Sequence, residues 1–149
     1  MKRLFGTLTA LAFVGVLAWT GGYLYWHIRL VGAIRTLEMR SGPQGSDADA
    51  VDIIRDAGCK SVPYLIGAMQ PAKNPYFLVL ASSLLAEQLE LRRERDKDIW
   101  NHLQEWRITP ETSVDGRRTN CDALHAWWRD KGAAQHSGVA WWKRDCGGI

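Results

Sequence analysis

Cys121 and His125 stand four residues apart, which puts both on one face of a helix. With His136 and Cys146 they form a candidate set of four ligands for a tetrahedral zinc ion. The spacing matches no familiar zinc motif, and a metal site needs all four groups to converge. A thiol or disulfide beside surface histidines is the simpler reading, so neither a metal nor any other cofactor is expected. The chain holds three cysteines, Cys59, Cys121 and Cys146, and an odd count is not a disulfide framework. Cys121 and Cys146 are the candidate bridge, which would close a Trp-rich C-terminal segment and suit an oxidising compartment. Cys59 fits a helix–helix corner as a small apolar residue.

Other chemistry is sparse. His27 could ligate haem or chlorophyll magnesium, but a lone His has no specificity, and no Cys-x-x-Cys-His is present. Gly-x-Ser-x-Gly, the P-loop, Gly-x-Gly-x-x-Gly and His-Glu-x-x-His are all absent from the sequence. Glu87, Glu90 and Glu94 fall at helical spacing, with Arg93 and Arg95 beside them, as in solvent-exposed ion pairs. The expectation is a protein that is not an enzyme. An unrecognised metal-dependent enzyme centred on Cys121, His125, His136 and Cys146 is the minor alternative.

Tryptophan is the surplus residue, and six of the eight lie in the C-terminal part: Trp100, Trp106, Trp127, Trp128, Trp141 and Trp142. In each adjacent pair, one ring can face a core while the other points about 100° away on a helix. The rings either fill a core poor in aliphatics or form an exposed patch. With Arg129 the patch would dock a partner protein or a glycan, since Trp and Arg dominate binding hot spots.

The N-terminus suggests where such a protein would work. No charged residue occurs from 4 to 26, with Lys2 and Arg3 before the run and His27 and Arg29 after it. A bilayer core of ~30 Å needs about 20 apolar residues, so the run is expected to be a single transmembrane helix. A cleavable signal would have a shorter apolar stretch and a small-x-small site. Trp19, Tyr23, Tyr25, Trp26, His27 and Arg29 would then lie at the membrane interface, the rings forming half an aromatic belt. The basic tail favours a cytoplasmic N-terminus, with the C-terminal domain on the periplasmic or extracytoplasmic side. Leu30, Val31, Ile34 and Leu37 keep a helical period, so an amphipathic extension carries the anchor to residue 40. Gly and Pro between 41 and 46 read as a linker.

The remaining stretch, 47–149, is long enough for one small domain. Net charge is +3 without a lysine-arginine block, so nucleic acid is not an expected partner. Every convincing period is helical. Ser46 or Asp47 can cap a helix with Val51, Ile54 and Ala57 inward, ended by Gly58. Ser61 can cap a second, with Pro63 in its first turn and Val62, Leu65, Ile66 and Met69 inward. Asn74-Pro75 opens a third, with an apolar face from Phe77 to Leu89. Ile99, Trp100, Leu103 and Trp106 follow at helical spacing. Thr109-Pro110-Glu111 is a start signal soon interrupted by Gly116. Asn120 can cap a helix with Leu124, Trp127 and Trp128, closed by Gly132, and Val139, Trp141 and Trp142 suit a last one.

The run Ile53-Ile54-Arg55-Asp56-Ala57-Gly58-Cys59-Lys60-Ser61-Val62-Pro63-Tyr64-Leu65-Ile66 resembles the corner of a bacterial HEAT-type repeat. Gly there supplies the left-handed turn, Pro opens the next helix, and the Leu-Ile pair buries against the previous one. The likeness covers about one and a half units, where three or more normally make a stable array. It implies a protein-binding scaffold. The combined expectation is an all-α chain: a transmembrane helix, then a HEAT-like α-solenoid domain with a Trp-rich C-terminal cap. Its role would be that of an accessory or assembly subunit, with integral membrane protein complex subunits and the lipid bilayer as partners. A free tethered binding module is the alternative.

Overall fold

The computed structural model describes residues 2–90 and 104–132, with side chains from residue 13. Its first element is a 39-residue helix, α1 (Lys2–Arg40). After it come α2 (Ala48–Ala57), a 3-10 turn (Gly58–Ser61), α3 (Val62–Ala68), α4 (Pro75–Glu90) and α5 (Val114–Trp127), closed by a π turn (Trp128–Gly132). Among the described residues there is no strand, only an isolated bridge between Gly42 and Gly45. The expected all-helical class therefore holds over this part of the chain.

The transmembrane expectation does not. Among the described residues, no helix is long and apolar enough to cross a membrane. Over the stretch whose side chains are described, from Phe13 onward, α1 lacks the apolarity rather than the length. The sequence argument rested on freedom from charge, which is a weaker condition. From Phe13 onward the helix carries Gly15, Thr20, Gly21 and Gly22, then Tyr23, Tyr25 and Trp26 with their polar groups, and reaches His27 and Arg29 within two more turns. Gly and Thr contribute little to transfer into hydrocarbon, and the ionisable groups oppose it. Single-pass localisation and the N-in orientation fall with the span.

The boundary between anchor and domain also moves. Leu30, Ala33, Ile34 and Leu37 of α1 are 0–7% exposed and belong to the same core as α2, α3 and α4. The end of α1 packs chiefly on α2 and less extensively on α3. Residues 41–46 are thus a tight turn of a helical hairpin and not a free linker: Gly42 and Gly45 exchange two backbone hydrogen bonds at 3.0 and 3.1 Å. Gly45 sits at φ 118°, a backbone angle that favours glycine. Three polar contacts fasten the turn. Arg40 donates to Asp47 at 2.8 Å, Asn74 Nδ2 donates to the Ser41 carbonyl at 2.8 Å, and Lys73 pairs with Glu38.

Asp47, not Ser46, caps α2, its Oδ1 accepting from the Ala50 N–H at 3.1 Å. Gly58 ends the helix at φ 57° and donates its N–H to the Arg55 carbonyl. Ser61 does not cap α3; its hydroxyl turns back to donate to the Gly58 carbonyl at 2.6 Å, inside the 3-10 corner. Pro63 falls in the first turn of α3 and Pro75 opens α4, both where a missing N–H costs nothing. One face of α4, with Phe77, Leu78, Ala81, Leu84 and Leu85, is the floor of the core. Ser82, on the same buried side, accepts the Ile108 N–H at 3.0 Å and so holds the following chain against α4. Ser113 caps α5, so Gly116 and Asn120 lie inside the helix. Asn120 instead donates from Nδ2 to the Arg107 carbonyl at 3.2 Å.

If the last turns of α1 are core, Leu37→Ala lowers unfolding stability by about 2–5 kcal/mol. Leu17→Ala, on the exposed part of the same helix, stays within about 0.5 kcal/mol. Urea melts of the two variants measure this directly. The Asp47 cap carries a pH signature. The Ala50 N–H first, then Arg40, hold the Asp47 carboxyl below its ordinary 3.8. A lowered folded-state value means stabilisation that is complete above that pH and lost as acid protonates the group. Asp47→Ala therefore lowers the Tm at pH 7, with a smaller effect at pH 3. Asp47→Asn keeps most of the cap.

Candidate functional site

Beyond the domain, α1 continues toward its N-terminus as an arm. Nine large apolar side chains there, Phe13, Val14, Val16, Leu17, Trp19, Tyr23, Leu24, Tyr25 and Ile28, are 49–65% exposed. Two residues after Ile28 on the same helix, Leu30 is 1% exposed. A contiguous apolar surface of this kind is a mark of an interaction site. Gly15 and Gly21 leave open space where a side chain would stand.

The residues expected at a membrane interface form the root of this arm. Trp19 and Tyr23 stack at 6.4 Å, and Tyr23 and His27 at 6.1 Å, each pair one turn apart. His27 Nδ1 lies 2.9 Å from the Tyr64 hydroxyl on α3, which ties the ring ladder to the domain. Burial first, then the charge and hydrogen bonding of Tyr23, push the Tyr64 phenol above its ordinary range. Arg29 donates to the Tyr25 hydroxyl at 2.8 Å, with its guanidinium 5.5 Å from that ring and 6.0 Å from the ring of Trp26. Lys60 sits 4.8 Å over the other component of this seam, the half-buried Trp26. These contacts stiffen the point where the helix leaves the core. Nothing in the local sequence pointed to Tyr64 or Lys60; their relation to the arm exists only after α3 folds against α1. Beside the seam is a shallow hollow of about 270 Å³, lined by Val31, Ile34, Arg35, Glu38, Tyr64, Gly67 and Ala68.

Of the six C-terminal tryptophans expected in a docking patch, three lie in the described residues. Trp106 and Trp127 are each 8% exposed, with ring centroids 5.3 Å apart, and belong to the core. Trp128 is half-buried and packs on the same cluster, 6.1 Å from Trp127. Arg129 is exposed and contacts its neighbour Asp130 at 3.3 Å. Trp100, Trp141 and Trp142 lie outside the described residues. The described rings pack into the core, where Trp106 meets Met69, Leu85 and Leu124.

The cysteine expectations also change. Cys121 is a free, buried thiol, so the expected bridge to Cys146 is not formed. Burial first, then the Asp122 charge, push the Cys121 thiol up to about 11, which leaves it neutral and unreactive at pH 7. Cys59 is the bridged cysteine; its partner lies outside the described residues. Among the described residues no group of three metal-ligating side chains converges. His125 Nε2 lies 2.7 Å from the Met69 carbonyl, which can only accept, so Nε2 carries a proton and donates. That ring is thereby committed to joining α5 to the end of α3. His136 and Cys146 lie outside the described residues. Glu87, one of the three spaced glutamates, pairs with Arg55 of α2 at 3.1 Å with both side chains about half exposed.

Compared with known proteins, the chain matches no family model, no curated protein and no solved structure.

The thiol assignment is checked by alkylation counted by mass. The native, unreduced protein takes up no iodoacetamide. One label enters in denaturant and maps to Cys121, and three enter after reduction.

Proposed function

We propose that the chain is a non-catalytic docking subunit of a larger protein assembly. The domain built from α2 to α5 is its scaffold, and the arm of α1 is its docking element. The observation that carries this reading is the change within one continuous helix from buried residues at Leu30 to nine half-exposed apolar ones before it. A helix that is apolar over most of its circumference is normally covered, and the described part of the domain covers only its root. The partner is an apolar protein surface, because the arm offers aliphatic and aromatic groups and no free charge between Phe13 and Trp26. The hollow bounded by Val31, Arg35 and Tyr64 continues that surface onto the domain and adds charged groups, Arg35 and Glu38, at its edge.

The HEAT-like corner is compatible with this role. Gly58 and Pro63 occupy the places that such a corner needs, and the 3-10 turn between them gives a compact α2–α3 hairpin.

The reading is tested on protein purified natively from its own cells. The chain is expected to elute in a stoichiometric complex. The triple variant Leu17→Gln, Leu24→Gln, Ile28→Gln elutes alone, with a thermal melt unchanged because these side chains touch no core. Elution of the unmodified chain as a free monomer overturns the proposal. So does sedimentation of the pure chain with phosphatidylcholine vesicles, since lipid and not protein would then cover the arm.

A further inference from the structure

A second concave surface lies away from the arm, between the 41–46 turn, the outer face of α4 and the start of α5. It is a half-open groove of about 460 Å³, within the ~300–1,000 Å³ usual for small-molecule sites. Its walls are mostly apolar, with Pro75, Tyr76, Val79 and Leu80 along α4 and Pro110 opposite. Two of its lining residues carry unused polar capacity. Arg117 is half-buried, and its guanidinium makes no hydrogen bond or ion pair with a described residue. Ser41 is 7% exposed, and its Oγ is the buried side-chain polar atom that has no hydrogen-bond partner among the described residues. A buried hydroxyl without a partner destabilises the free protein, so a ligand that engages it recovers what folding leaves unmet.

We propose that this groove binds a free single-chain amphiphile, an alkyl carboxylate, with its head group on Arg117 and Ser41 and its tail along Tyr76, Val79 and Leu80. Charge complementarity selects the head group: an unpaired guanidinium takes a planar carboxylate in bidentate fashion, and the hydroxyl donates to the same group. The walls select the tail. An extended peptide would bring backbone N–H and C=O groups that need partners. The Tyr76 N–H is taken by Asn74 Oδ1, Val79 and Leu80 lie inside the α4 helix, and Gly42 and Gly45 have exchanged their groups with each other. Ser83 is also committed, since its Oγ donates to the Val79 carbonyl at 3.0 Å. A hydrocarbon chain makes no such demand. This inference is independent of the docking role of the arm.

The probe is sodium decanoate below its micelle concentration, titrated calorimetrically into the full chain. Saturable binding at one site is expected. Arg117→Gln weakens it at least tenfold, and decanol, which has the tail without the charge, binds at least tenfold more weakly than decanoate. Acetate, with the head and no tail, does not bind. Ser41→Ala separates binding from folding: it raises the Tm of the free protein and weakens decanoate. Absence of saturable binding overturns the proposal. Equal affinity for decanol, or an unchanged affinity in Arg117→Gln, overturns it too, because the groove would then be an apolar sink without a head-group site.

Discussion

The structure depends on one packing arrangement: the burial of Leu30, Ala33, Ile34 and Leu37 against α2 and α3. Ala33 and Ile34 sit between the two leucines, so the four residues make a stripe of about two turns. Without it α1 would be a long helix flexibly tied to a small bundle. With it, the helix is a structural member of the domain and its exposed part is held at a fixed angle. The Arg40–Asp47 and Lys73–Glu38 pairs and the Asn74–Ser41 hydrogen bond surround this contact. Each is at least partly exposed, so they fix the register of the hairpin more than they stabilise it. The stabilisation comes from the apolar stripe.

The α2–α3 corner shows the same division. Gly58 turns the chain at φ 57°, and the Ser61 hydroxyl accompanies the turn by donating to the Gly58 carbonyl. Val62, Leu65 and Ile66, all 0% exposed, then anchor α3 in the core that Phe77 and Leu78 of α4 also enter. His125 reaches across from α5 to the Met69 carbonyl, at the helix end where carbonyls lack intrahelical partners. A histidine that looked like a metal ligand in the sequence thus completes a helix terminus. Cys121, one turn earlier, is simply buried.

Much of the fold was legible in the sequence because the relevant signals are local. The Asp47 cap, the Gly58 stop, Pro63 in the first turn of α3, the start of α4 at Pro75 and the inward faces of α2 to α4 are set within four or five residues each. What failed needed information from elsewhere. The 41–46 turn has linker composition, and only the burial of Leu37 on one side and Ile54 on the other shows that it is a hairpin. Asn120 has the right chemistry for a cap but stands seven residues past the Ser113 that does the capping. The tryptophans carried no sign of which would be core, since Trp106 and Trp127 find each other across twenty-one residues. The arm was misread for a different reason: an uncharged run and a membrane-spanning run share a sequence signature until glycine, threonine and the polar groups of the rings are weighed.

The arm also constrains what can cover it. At 100° per residue, its nine exposed apolar side chains spread over an arc of about 240°, from Trp19 through Phe13 to Tyr25. The remaining arc holds Gly15, Ala18, Gly22, Trp26 and Arg29, whereas the core residues Leu30, Ile34 and Leu37 continue the side of Trp19, Tyr23 and Val16. A single partner helix covers a stripe of roughly 100°, so it would leave more than half of the arc wet. Full burial of one such side chain is worth about 1.5–3 kcal/mol, and half-exposed ones contribute roughly half of that. Nine together could supply on the order of 10 kcal/mol if all were covered, but less than half as much from one stripe. Association itself costs about 4–15 kcal/mol. A groove between two or more helices, closing on both sides of Leu17 and Leu24, therefore covers this arm more favourably than a lone helix does.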